Sequence, residues 1–289
     1  MLEIKNLCKK YGAFEALNGV SIDIDPGIYG VLGPNGAGKS TFMNLLTCSI
    51  QRTSGSILFG GREILEQQKK YFSHLGYMPQ SGGYYPHFTV RQFLYYMGYM
   101  KGMKRNQVQE RAVNLLMEMN LLDKFDVEIR RLSGGMIRRI MLVNALLADP
   151  DILILDEPTA GVDPQERTAI RNYISRYSSG KVILIATHIV SDIEAIANYV
   201  VFLKKGRIEM MGEPSRLVEM LDGKVYETWA TYENLSELQD KYIISNISAE
   251  KKGLLVKLLA KDSIQDDGFF PGNASLTDVY LSTYRKDND

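Results

Sequence analysis

Three short segments carry residue types able to act on a phosphate group. Gly33-Pro34-Asn35-Gly36-Ala37-Gly38-Lys39-Ser40-Thr41 fits the pattern GxxxxGK[ST]. Its glycines leave backbone amides free to wrap phosphate oxygens, and a helix starting at its end adds the positive end of a dipole. Lys39 can reach the outer phosphates of a nucleotide, and Ser40 offers a hydroxyl to Mg²⁺. Asp156 and Glu157 follow the apolar run Ile152-Leu153-Ile154-Leu155. A carboxylate ending a buried strand can hold a metal or its water shell, and the next can polarise an attacking water. In Leu132-Ser133-Gly134-Gly135-Met136 a serine and two glycines open a helical run with Ile140, Val143 and Leu147 on one stripe. Ser133 suits an N-cap and the glycines bare their amides, giving a second anion site separate from the first. Each segment has a plainer reading taken alone: a Gly-rich turn, a strand end meeting water, a capped helix. The phosphate loop decides for the carboxylates, because its strand-to-helix setting is the one such a loop requires.

The elements that must position these residues read as α/β. Ile28 to Leu32, Ile152 to Leu155 and Val182 to Ala186 are short continuous apolar runs, as central strands buried on both faces require. Leu2 to Leu7 and Val20 to Ile24 alternate and predict early antiparallel strands. Val90, Phe93, Leu94 and Met97, then Val108, Ala112, Leu115, Leu116 and Met119, fall at helical spacing with no strand candidate nearby. They predict a helical insertion at about 85–148. After Gly212 and Pro214 the character changes. Strands are expected at 224–231, 242–247 and 254–259, a helix at 233–240, a loop at 262–273, and a last helix capped by Ser275. The expected division is therefore a large α/β domain at 1–222 and a small accessory α/β unit at 223–289.

Composition bounds the partners. Lys and Arg number 34, as do Asp and Glu, so no global positive field is present to coat a nucleic acid. With 45% hydrophobic residues the chain has ample material for a core. Cys8 and Cys48 match no metal-ligand spacing and read as reduced thiols. The N-terminus lacks the basic-then-apolar build of a signal peptide, and no uncharged apolar run approaches the ~18 residues of a membrane span.

In this order, the motifs resemble those of the ATP-binding subunits of ABC transporters, over about 1–221. The resemblance rests on the Walker A segment 33–41, the signature Leu132-Ser133-Gly134-Gly135-Met136 and the Walker B run through Glu157. It implies a P-loop NTPase core with an antiparallel β subdomain. It also implies further roles: Tyr11 stacking on adenine, Gln80 as the Q-loop glutamine and Asp163 as the D-loop aspartate. His188 would be the switch histidine at the γ-phosphate. The residues themselves leave Tyr11 readable as a turn tyrosine and Gln80 as an exposed loop residue. The signature departs from the family at its usual final glutamine, here Met136; phosphate contact comes from the serine and glycine amides, so nucleotide sandwiching is expected to survive. This ending, and Ala274-Ser275-Leu276-Thr277-Asp278-Val279-Tyr280-Leu281, are similar to single-domain ABC-2-like exporter ATPases.

The resemblance implies an Mg²⁺-dependent ATPase working as a head-to-tail dimer, with an identical or different second ATP-binding subunit. Ser133, Gly134 and Gly135 of one chain would cover ATP on the Walker A loop of the other. Glu157 would orient or deprotonate water, Mg²⁺ would sit near Ser40, Gln80 and Asp156, and Lys39 and His188 would steady developing charge. The remaining partner is a transmembrane permease at the cytoplasmic face of the membrane, with no nucleic acid. Seven aromatics stand in 84–99, against 10% over the chain. Tyr84-Tyr85 and Tyr95-Tyr96 cannot both point into one core, which predicts a docking face for the membrane partner. The rival classes are a nucleic-acid or ribosome-associated ATPase of the same type and a non-catalytic regulatory module. The first would carry a long coiled coil or a second such domain. The second sits poorly with Lys39, Asp156, Glu157 and His188 all present.

Overall fold

The computed structural model describes residues 2–284; Met1 and 285–289, the tail of the expected accessory unit, lie outside the described residues. The alternating N-terminal segments form a hairpin, β1 (Leu2–Tyr11) and β2 (Phe14–Ile24), in register from Leu2↔Ile24 to Tyr11↔Phe14. With β4 (Ser54–Phe59) and β5 (Arg62–Glu63) they make an antiparallel sheet in the order β2-β1-β4-β5.

The three continuous apolar runs are the centre of a second, six-stranded sheet. Its strands are β3 (Gly27–Leu32), β6 (Leu75–Met78), β7 (Ile152–Asp156), β8 (Val182–Thr187), β9 (Tyr199–Lys204) and β10 (Arg207–Gly212), ordered β10-β9-β3-β8-β7-β6. All neighbours are parallel except β10 and β9. Successive residues serve opposite layers. Leu153 and Leu155 enter one core cluster with Ile183 and Ile185, while Ile152 and Ile154 enter another with Val182 and Leu184. The second cluster is shared with the antiparallel sheet, α1 (Lys39–Leu46) and α2 (Gln68–Ser73). The first is shared with the helical insertion, α3 (Val90–Met100), α4 (Arg105–Glu118) and α5 (Gly134–Leu146), and with α6 (Pro164–Tyr177) and α7 (Val190–Glu194).

After α8 (Pro214–Glu219) the chain builds a third sheet, β12-β13-β11-β14. Its members are β11 (Val225–Ala230), β12 (Ile243–Glu250), β13 (Gly253–Leu259) and β14 (Phe269–Pro271), with α9 (Leu235–Lys241) between the first two. β14 falls inside the segment expected to be loop. Gly268 and Pro271 read as breakers, but Phe269–Pro271 pairs with the outer edge of β11, where the missing N–H of proline is tolerated. The last helix, α10 (Leu276–Tyr284), leaves this sheet and packs on the parallel-sheet layer, with Leu276 and Val279 buried in its first cluster.

Candidate nucleotide site

Parallel strands present their carboxyl ends at one edge, and ligands of such sheets bind there. Gly33 follows β3, Gln80 follows β6, Asp156 and Glu157 close β7, and His188 follows β8. Sequence-remote residues are thereby collected: Asn35, Lys39, Ser40, Gln80 and Glu157 line one cavity of about 180 Å³.

The phosphate loop takes its shape from a left-handed Gly38, φ +107°. A Cβ there would stand 2.7 Å from the Ala16 carbonyl oxygen. α1 begins without a side-chain cap and with no acid in its first turn, so its leading amides keep their positive end for a ligand. Lys39 is buried, and its ammonium donates to the carbonyls of Gly33 (2.6 Å) and Pro34 (3.1 Å) rather than to a carboxylate. Burial pushes its pKa down, against the pull of Glu157 and Asp156. The β9–β10 turn supports the loop from below, with Gly206 N–H donating to Ala37 O at 3.0 Å.

The two carboxylates differ. Asp156 is buried, and one of its oxygens, Oδ1, has no hydrogen-bond partner. Burial, reinforced by neighbouring Glu157, pushes its carboxyl above the usual range despite the Ser40 hydroxyl and Lys39. Glu157 has φ +51°, a backbone state costing a non-glycine residue about 1–3 kcal/mol. Its carboxylate accepts from Thr187 Oγ1 (3.0 Å) and His188 N–H (3.1 Å), and His188 Nδ1 lies at 2.8 Å. Three groups of Thr187 and His188 thus hold the carboxylate of this strained residue in place.

The other predicted residues are placed as follows. Gln80 is exposed at the cavity, and Gly36, Gly38 and Thr41 line it too. Tyr11 is 49% exposed at the hairpin tip, with Lys9 Nζ 4.7 Å from its ring centre. It does not line the cavity; Phe14, its cross-strand neighbour, does. Asp163 caps α6, accepting from Glu166 N–H at 2.8 Å. Ser133 caps α5, accepting from Met136 N–H at 3.2 Å, and Ser133 and Gly134 stand exposed outside the cavity. Gly135 is half-buried there, and Met136 packs against the insertion core.

Arg138 carries no motif signal of its own, yet it ties three parts of the site together. From α5 it donates to Pro79 O, next to Gln80, at 3.1 Å and to Glu157 O at 2.6 Å.

A family model described as ABC transporter matches residues 17–160. Nod factor export ATP-binding protein I of Cupriavidus metallidurans is 35% identical over 221 residues, which is 76% of this chain and 73% of that protein. The chain belongs to the ABC transporter family, as an ATP-binding subunit. Linearmycin resistance ATP-binding protein LnrL of Bacillus subtilis is 32% identical over 77% of this chain and 72% of its own length. A solved ATP-binding subunit of an ABC transporter superposes with a TM-score of 0.71 at 27% identity, over 76% of this chain and 92% of that one. The mixed α/β fold with a mostly parallel sheet is the fold of these ABC subunits. Among the described residues no helix is long and apolar enough to cross a membrane.

Proposed function

We infer that this subunit hydrolyses ATP to drive export through a transmembrane permease. The observation that carries the reading is the convergence of Lys39, Gln80 and Glu157 on one cavity beside uncapped helix amides. The residues fit ATP with Mg²⁺: the unpartnered Asp156 Oδ1 and the Ser40 hydroxyl are hard oxygen donors of the type this cation takes. Among the described residues no three His, Cys, Asp or Glu side chains form a metal cage, and Mg²⁺ in such sites needs only one or two carboxylates plus phosphate. Bound MgATP supplies the phosphoryl group and the charge that the site answers.

The chain's own residues then divide the work. Loop amides and Lys39 neutralise phosphate charge, which in a partly dry site is worth more than in water. Glu157 orients water and takes its proton, held for that by Thr187 and His188. Gln80 and Asp156 would hold Mg²⁺, and His188 would steady developing charge. Tyr11, with Phe14 beside it, offers aromatic surface to adenine. The exposed Ser133 and Gly134, followed by Gly135 at the head of α5, are directed to ATP on a second ATP-binding subunit, head to tail, with Asp163 at the junction. Two relatives whose names speak of Nod factor export and linearmycin resistance support export.

Docking falls to the aromatic segment at the cytoplasmic face. Phe93 and Leu94 are fully buried, whereas Tyr85, Tyr96 and Tyr99 are each exposed by more than two-fifths and Met100 by 71%. Tyr85 and Tyr96 meet edge to face at 5.5 Å, making a stiff apolar face for a permease segment.

Size measurement of the full chain with and without MgATP tests the dimer. The wild type should dimerise on nucleotide, and Ser133→Arg should bind ATP yet stay monomeric. Dimerisation of Ser133→Arg at wild-type ATP concentration removes the head-to-tail arrangement.

A further inference from the structure

At the start of the phosphate loop, the C-terminal unit contributes the hydroxyl of Tyr284. Pairing between β3 and β9 ends at Leu32↔Phe202, where β3 leaves the sheet to become the phosphate loop. At that point the Tyr284 hydroxyl, from the last turn of α10, lies 3.0 Å from Leu32 O and 2.9 Å from Leu203 O. It bridges the two strands just where the ladder stops. Gly33 fits the same crowded spot: a Cβ there would stand 2.6 Å from Leu203 O and 3.4 Å from the Tyr284 hydroxyl.

The ring is held as firmly as the hydroxyl. Tyr284 lies 4.6 Å from Tyr280 and 6.1 Å from Phe202, centre to centre. Lys204 Nζ donates to Thr283 O at 3.0 Å, tying the end of α10 to the end of β9. At its other end, Leu276 N–H donates to Glu194 Oε1 on α7, the short helix that follows His188. Both ends of α10 therefore meet elements that adjoin the site: β3, which runs into the phosphate loop, and α7, which follows His188. The appended sheet grips the same helix from outside, with Lys257 of β13 2.7 Å from the buried Asp278. The path is continuous: β13, Lys257, Asp278, α10, Tyr284, then the carbonyl that starts the phosphate loop.

We propose that Tyr284 is a positioning residue for the phosphate loop, and that the C-terminal sheet sets nucleotide affinity through it. The proposal rests on the ATP-site reading above. Tyr284 does not itself line the cavity; it fixes the angle at which the loop leaves β3, and with it the direction of the loop amides and Lys39.

Four full-length chains test this: wild type, Tyr284→Phe, Lys257→Met and the double variant. A fluorescent ATP analogue measures affinity, phosphate release gives KM and kcat separately, and thermal melting reports stability. Binding by the wild type is the check on the site itself; if it fails, the ATP-site reading fails and not merely the role of Tyr284. With the wild type binding, Tyr284→Phe should weaken affinity and raise KM about three- to tenfold, the value of one ordinary hydrogen bond, while kcat changes little. Lys257→Met should shift affinity in the same direction, and combining the two should add little, since both cut one path. A purely structural tyrosine would lower the melting temperature and leave affinity of the folded chain unchanged, and that result overturns the proposal. So does full additivity of the two substitutions.

Discussion

Replacing Glu157 by Gln separates chemistry from structure with a single atom. The carboxylate takes two His188 donors on Oε1 and the Thr187 hydroxyl on Oε2. A carboxamide keeps one oxygen. With that oxygen toward His188, its amide faces Thr187 Oγ1, which already accepts from Ile189 N–H at 3.0 Å and has a second lone pair to offer. Hydrogen bonds to a charged acceptor, about 1.5–3 kcal/mol each, become neutral ones of about 0.5–1.5. Against that loss, a buried negative charge beside Asp156 no longer has to be desolvated. The two effects nearly cancel, and stability should change by about 1 kcal/mol or less, a few degrees in melting temperature. Turnover has no such compensation. Loss of a general base costs about 10²–10⁴-fold, or roughly 3–5 kcal/mol of barrier. Phosphate release at saturating MgATP, read beside a melting curve and analogue binding, should show a nearly inactive protein that folds and binds normally. Hydrolysis within about threefold of wild type, far short of the loss a general base predicts, would refute the assignment of Glu157. A melting point lower by more than about 10 °C would show instead that the carboxylate is chiefly structural.

Other outcomes follow from the same geometry. Arg138→Met removes the ties to Pro79 and Glu157 carbonyls and should lower kcat about tenfold or more with little change in ATP affinity, because binding groups on the loop are untouched. Burial opposes ionisation of Asp278, but hydrogen bonds from Lys257, Ser245 and Ser275 outweigh it and hold its carboxyl below the usual range. The stability it gives is therefore complete above pH ~4 and lost as pH falls further, through the depressed value. Acid titration followed by the fluorescence of Trp229, the sole tryptophan and a residue of β11, should show this limb in wild type and not in Asp278→Asn. Tyr85→Glu on the exposed aromatic face should leave ATPase activity of the isolated subunit intact while abolishing copurification with the permease; retained copurification would clear that face of the docking role.

Much of this molecule was legible because the informative signals are local. Apolar runs at 28–32, 152–155 and 182–186 announce strands buried on both sides, and a phosphate loop is legible in nine consecutive residues. The parallel sheet then brings the phosphate loop, Gln80, Glu157 and His188 together without further instruction, since each lies just past a strand's carboxyl end. The rest depends on contacts between residues far apart. Tyr284 stands 252 residues from Leu32, and nothing in its neighbours marks it as a partner of the loop. Arg138 sits within a helix where an arginine normally means solvent. β14 was hidden because an edge pairing depends on which strand lies alongside, while Gly and Pro speak only for the local chain. Phe14 lines the cavity where its cross-strand neighbour Tyr11 does not, a difference the local sequence does not mark.

The alternation of side chains across the central sheet has a consequence for how the sequence can drift. Leu153 and Ile154 are neighbours in the chain, yet they answer to different cores with different neighbours. Substitutions on the two sides should combine independently, as separated sites do. The insertion layer, which carries the aromatics proposed to dock a permease, is thus free to be remodelled for a new membrane partner while the opposite layer stays as it is. The residues at the strand ends, Gly33, Glu157 and His188 among them, follow strands that both layers cover, so a change there bears on both cores.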